Sequence, residues 1–320
     1  MRKLRPAHDF RAVADAIVSN APGLQNCLPV VEKELLHVEI LRAMHDAGLL
    51  RNLVFKGGTC LRLCYGADRF SEDLDFSGGT AFRPALLADI EEVLRYRIAE
   101  SYGLEVDVRH HERKPGRAVN RWTARIVIFR PEGTRSTANL RVQRIKLEVD
   151  NEPLPKGFHT RRVPHPYREV VGAYAAPMVG VMPLDRILAD KLVAFPASLE
   201  RRRNPRYRDV WDMHWLAPHV YERRSVFERA DAKAARQGMS ERAYGELRDR
   251  TAARMHEVVE SAGFADTLER FMDETFFAAT VGDPAYRREI ARSVCDLLGR
   301  HTLEIRPRPP SRRLDEPPVF

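Results

Sequence analysis

The sequence predicts an α+β protein with a mixed β-sheet core and a C-terminal helical module. Two observations carry that class. Three stretches between residues 104 and 150, LEVDVRHHE, WTARIVIFR and LRVQRIKLEVD, alternate apolar with polar residues and are rich in β-branched side chains. From Pro183 onward the chain reads as helix after helix.

In order, LPVVEKELLHVEILRAMHDAGLL places apolar residues at 28, 31, 35, 38, 41 and 44, close to helical period, with Gly48 as its stop. LVF at 53–55 reads as a short strand, TCLRLCYG as a helix and LDF at 74–76 as a second strand. Phe82 to Ile98 is expected to be helical, with Pro84 in its first turn. The three alternating strands are joined by KPGRAVN and PEGTRSTAN, which carry turn chemistry. A Pro-rich link from Pro153 to Pro166 leads to a strand expected around Glu169 to Tyr174. PLDRILADKLVAF and RDVWDMHWL open the helical part, and further helices are expected at about 222–237, 240–262, 264–278 and 284–299. Residues 1–180 are thus expected to form the sheet core with N-terminal helices, 181–300 a helical domain, and 301–320, Pro- and Arg-rich, a flexible tail.

Composition narrows the class. At 320 residues and 44% hydrophobic content the chain can bury a substantial core. No apolar run reaches the ~20 residues needed to cross a bilayer, and the N-terminus has no apolar h-region, so a cytoplasmic protein without membrane partners is expected. Four cysteines, at 27, 60, 64 and 295, have no His/Cys cluster around them and read as free thiols. A formal charge of +8, dominated by arginine, suits nucleic acid or an anionic substrate.

The chemistry concentrates in LVFKGGTCLRLCYGADRFSEDLDFSGG at 53–79. Gly57 and Gly58 stand between a strand and a helix, where backbone N–H groups can approach an anion, and Thr59 adds a hydroxyl. The pattern is neither a P-loop nor a dinucleotide fingerprint. Asp73 and Asp75, two apart on an expected strand, point to one face and would repel without a cation between them. Mg²⁺ with phosphate oxygens fits that pair. On IKLEVD, Lys146, Glu148 and Asp150 share one face while Ile145, Leu147 and Val149 share the other, so Glu148 is a candidate third carboxylate. Lys191 lies beside the apolar stripe of its helix, within expected reach of a phosphate, and Asp209 and Asp212 are neighbours three apart on the next. Arg109, Lys114, Arg117, Arg121, Arg125, Arg141 and Arg144, with Arg201, Arg202, Arg203, Arg206 and Arg208, supply a basic surface suited to RNA.

F-K-G-G-T-x-L-R-L-x-Y-G, R-F-S-E-D-L-D-F, K-L-E, L-D-R-I-L-A-D-K-L-x-A-F and R-D-V-W-D-M-x-x-L, in this order over roughly residues 30 to 220, resemble the AbiEii/MenT-type nucleotidyltransferase toxins of the DNA polymerase β-like superfamily. The resemblance implies a bilobed nucleotidyltransferase fold with extra helices. It implies the toxin half of a bacterial toxin–antitoxin or phage-defence pair, with a cognate antitoxin as partner; some members use a nucleoside triphosphate and Mg²⁺ to add nucleotides to the tRNA 3′ end, which makes an RNA the expected acceptor here. Carried onto this sequence, Lys56, Gly57, Gly58, Thr59, Ser71, Lys146 and Lys191 would bind the nucleotide. Asp73, Asp75 and Glu148 would hold the metal, and Lys191 and Asp209 would join those carboxylates in catalysis. Two other readings compete: transfer of a nucleotide or phosphate to protein (an antitoxin, or the chain's own Ser71), and an inactive binding module that retains the fold.

Overall fold

The structure is a computed structural model, described over residues 8–111, 119–129, 141–155, 157–201 and 205–299. The tail expected at 301–320 lies outside the described residues, as do Lys114, Arg117, Arg202 and Arg203. The chain divides into two compact units, Met1–Met182 and Pro183–Phe320.

The first unit carries a mixed seven-stranded sheet in the order β3-β4-β5-β2-β1-β7-β6. Its strands are β1 (Val54–Lys56), β2 (Leu74–Ser77), β3 (Glu105–His111), β4 (Val119–Phe129), β5 (Arg141–Asp150), β6 (His159–Arg162) and β7 (Met178–Val181). β2 runs parallel to β5 and β1 parallel to β7, while the other pairs are antiparallel. Alternation sets the faces. Ile145, Leu147 and Val149 are buried, as are Trp122, Ala124 and Ile126 on β4 and Phe55 and Phe76 on β1 and β2. Gln143 on this face donates to the Pro29 carbonyl and to Glu32 of helix α2 (Leu28–Asp46), which fixes α2 against it. Helix α1 (Phe10–Asn20) precedes α2, α3 (Gly57–Tyr65) joins β1 to β2, and α4 (Ile90–Tyr102) packs on β3. The opposite face, carrying the charged residues of β2, β4 and β5, is the one that matters for chemistry.

In this unit three expectations are corrected. The helix expected from Phe82 is a 3₁₀ turn at Pro84–Leu87 followed by α4, which runs on to Tyr102. The strand expected at Glu169–Tyr174 is instead a single helical turn, α5 (Arg168–Val171). Val171 and Gly172 donate to the Tyr167 and Arg168 carbonyls, and Gly172 at φ +81° turns the chain out. The Pro-rich link also contains β6, paired with the unforeseen β7.

The second unit is helical: α6 (Leu184–Arg201), α7 (Tyr207–Leu216), α8 (Arg223–Arg236), α9 (Glu241–Ala253), α10 (Met255–Glu260), α11 (Ala262–Glu269), α12 (Glu274–Ala279) and α13 (Pro284–Gly299). The segments expected as single helices at 240–262 and 264–278 are each broken in two. α6 continues through Pro196 to Arg201. No described helix is long and apolar enough to cross a membrane.

Candidate active site

The glycine corner is shaped by what lies against it. Gly57 adopts φ +77°, and a Cβ there would stand 2.4 Å from Asp75 Oδ2. A Cβ on Gly58 would stand 2.6 Å from Arg69 Nη2 and 2.9 Å from Ser71 Oγ. The pair is therefore required twice over, by backbone conformation at Gly57 and by close approach at both positions. Because α3 begins at Gly57, the unpaired N–H groups of its first turn gather at the same corner as Asp75, Ser71 and the buried Arg69.

Strand register then lines up the charges. Lys56 is paired with Asp75, Asp75 with Glu148, and Glu148 with Arg121, so one row across β1, β2, β5 and β4 reads cation, carboxylate, carboxylate, cation. Asp73 sits just before β2 rather than on it, yet stays beside this row because Lys146 holds it. The Lys146 backbone N–H donates to Asp73 Oδ1 at 3.4 Å and its Nζ to Oδ2 at 3.3 Å. Glu148 Oε1 accepts from Arg121 Nε at 2.6 Å and Nη2 at 2.5 Å. Registered residues on neighbouring strands share a face, so Arg109, Arg125, Arg144 and Lys146 continue the charged face beyond the row.

One expected role changes. The Thr59 side chain, expected at the phosphates, is buried at 2% exposure and donates its hydroxyl to the Asp73 carbonyl. It braces the first aspartate, and only its backbone N–H belongs to the anion-facing corner. Within the basic surface, Arg141 is drawn off to Glu32 at 2.7 Å and Arg208 stacks on Phe271 at 4.5 Å.

Lys191 and Asp209 belong to the helical unit. Lys191 is 7% exposed, and its Nζ lies 2.8 Å from Asp209 Oδ1 and 2.6 Å from Asp212 Oδ2. The structure brings Lys191 together with both Asp209 and Asp212, the latter itself 1% exposed.

Sequence reasoning missed several supporting residues. Lys33 and His37, one turn apart on α2, hold the segment before Asp73: Lys33 Nζ meets Glu72 Oε1 at 2.8 Å, and His37 Nε2 lies 3.0 Å from the Glu72 carbonyl. Arg69 was legible only as part of the R-F-S-E-D run. Asp150, one alternation past Glu148, pairs with Lys56.

The donor chemistry suits Mg²⁺. Asp73 and Asp75 offer hard oxygens, and Mg²⁺ takes one or two carboxylates, completing its shell with water and phosphate oxygens. Among the described residues no group of three His, Cys, Asp or Glu side chains is placed to hold a metal ion. Of the expected three carboxylates, Glu148 has its Oε1 bonded to Arg121 and Asp73 both of its oxygens bonded to Lys146.

The family model of the nucleotidyl transferase AbiEii toxin, type IV toxin–antitoxin system, matches residues 39–289. The chain belongs to this family of nucleotidyltransferase toxins. MenT4, a nucleotidyltransferase toxin from Mycobacterium tuberculosis H37Rv, has a similar fold, with a TM-score of 0.51 and 21% identity over 89% of this chain and 98% of its own. JHP933 from Helicobacter pylori aligns with a TM-score of 0.43 and 21% identity over 84% of this chain and 90% of its own. No curated protein matches.

Proposed function

We propose that this toxin transfers nucleotides from a nucleoside triphosphate to an RNA acceptor, with the tRNA 3′ end as the preferred acceptor. The observation that carries the reading is the glycine corner packed directly against Asp75, at the end of a row of carboxylates on an open, basic sheet face. The α3 N-terminal amides and Lys56 seat the triphosphate. Asp73 and Asp75 are the residues that would hold Mg²⁺, which supplies charge neutralisation at the phosphates when bound. Lys146 and Thr59 keep Asp73 in place. Glu148 Oε2, the oxygen not bonded to Arg121, takes the proton from the acceptor hydroxyl. The acceptor oxygen then bonds to the α-phosphorus, the bond to the β-phosphate oxygen breaks, and pyrophosphate leaves. Arg109, Arg125 and Arg144 track the acceptor's phosphates. In the helical unit, Asp209 and Asp212 fix the Lys191 ammonium.

The test is incubation with each α-labelled triphosphate and Mg²⁺, together with purified tRNA and total cell protein. Label in the RNA fraction, absent with Asp73→Ala, is the expected result. Label confined to protein would replace the acceptor. Undiminished transfer by Asp73→Ala would overturn the site. Binding to RNA should also weaken steeply with added salt.

A further inference from the structure

Asp150 lies one alternation beyond Glu148 and is 7% exposed. Its two oxygens are divided between two tasks. Oδ1 accepts from Ser77 Oγ at 2.8 Å and from the Glu152 N–H at 3.1 Å, while Oδ2 pairs with Lys56 Nζ. The Ser77 and Glu152 bonds tie the ends of β2 and β5 and the turn that follows. The Lys56 pair does something else. Lys56 is the last residue of β1 and directly precedes Gly57, and its register partner is Asp75. Its side chain is only 15% exposed, and that of Asp150 is 10% exposed. A largely buried ion pair is a poor route to stability, because desolvation offsets its attraction. Lysine is also a flexible side chain that must be held if its charge is to be delivered to one place.

We propose that Asp150 is a positioning residue for substrate binding. Held rigid by Ser77 and Glu152, it fixes the Lys56 ammonium on the charged sheet face beside the Asp75–Glu148 row, where it meets the triphosphate of an incoming nucleotide. The inference rests on the nucleotidyltransferase reading of this site and adds a residue to it. Both Asp150 oxygens have partners inside the protein, so its role is to place Lys56.

Asparagine at 150 separates the two tasks. Asp150→Asn retains an oxygen for Ser77 and Glu152 but turns an amide donor toward the Lys56 ammonium, so the strand ends stay tied and the lysine loses this carboxylate. Binding of the α,β-methylene analogues of ATP, CTP, GTP and UTP, with Mg²⁺, is measured by calorimetry on the full chain, below the unfolding midpoint of each variant. Asp150→Asn and Lys56→Met are each expected to weaken the best-bound analogue about tenfold or more, the loss of one charge-assisted contact. The double variant should be no weaker than Lys56→Met alone, and Lys56→Arg should restore most of the binding. Wild-type affinity in Asp150→Asn beside a loss in Lys56→Met, or additive losses in the double variant, would overturn the inference while leaving the site reading intact. A wild-type chain that binds none of the analogues would overturn both.

Discussion

Gly57 and Gly66 offer a matched pair of substitutions on one helix. They flank α3, at φ +77° and +76°, so alanine at either pays the same left-handed backbone strain of about 1–2 kcal/mol. Their surroundings differ. Nothing lies within 4 Å of a Cβ on Gly66, whereas a Cβ on Gly57 would stand 2.4 Å from Asp75 Oδ2. Ordinary carbon–oxygen contact begins roughly 1 Å farther out, so the Asp75 carboxylate must retreat by about that distance. Both variants should therefore melt lower by about 2–8 °C. Only Gly57→Ala should lose turnover, by about a hundredfold, the usual effect of misplacing a reacting group by ~1 Å. The assay is thermal unfolding followed by single-turnover nucleotide transfer for both proteins. Equal turnover in the two would refute the claim that contact with Asp75, and not backbone freedom alone, explains the glycine.

Other expected outcomes follow from buried charge. Lys191→Met leaves Asp209 and Asp212 without their shared cation and should destabilise the helical unit by roughly 3–5 kcal/mol, read by urea unfolding; restoring stability with Asp209→Asn plus Asp212→Asn would confirm the cause. Burial pushes the imidazoles of His37 and His165 down to about 4, against a weaker opposing pull from the Glu72 carbonyl at His37 and from the Glu34 carboxylate at His165. Both stay neutral when folded while the unfolded chain takes up protons, so stability is full above pH 6.5 and falls as the pH drops toward 4, by at most roughly 3 kcal/mol for each histidine. Urea titrations across that window should show a shallower decline in His165→Gln than in the wild type. Thr59→Val keeps the shape of the buried side chain but releases the Asp73 carbonyl, and should lower turnover more than it raises the KM for triphosphate.

Much of this was legible because the governing patterns are local. The alternation of IKLEVD put Ile145, Leu147 and Val149 on one face and Lys146, Glu148 and Asp150 on the other, and the sheet is built that way. The helix period of 28–44 placed Val31, Leu35, Val38, Leu41 and Met44, and all are buried. What failed had no local signature. β7 is four residues long and β6 reads HTRR, too short and too polar to show a period of two. The valines of 168–171 suggested a strand, but a tight turn closed by Gly172 decided otherwise.

Charge was the harder problem, because a carboxylate's meaning depends on a partner distant in the chain. Glu32, Glu34 and Glu39 of α2 are charged yet all are buried, each against an arginine from elsewhere: Arg141, Arg62 and Arg97. The same blindness hid Asp150, whose alternation with Glu148 was visible but whose pairing with Lys56 spans 94 positions. It also misassigned Thr59, because a hydroxyl beside two glycines suggests phosphate until the Asp73 carbonyl is found beneath it. In each case the sequence supplied the residue types and their faces. Only the strand order β5-β2-β1 decided which carboxylates face a cation and which face the open site, since that order makes Lys56, Asp75, Glu148 and Arg121 neighbours.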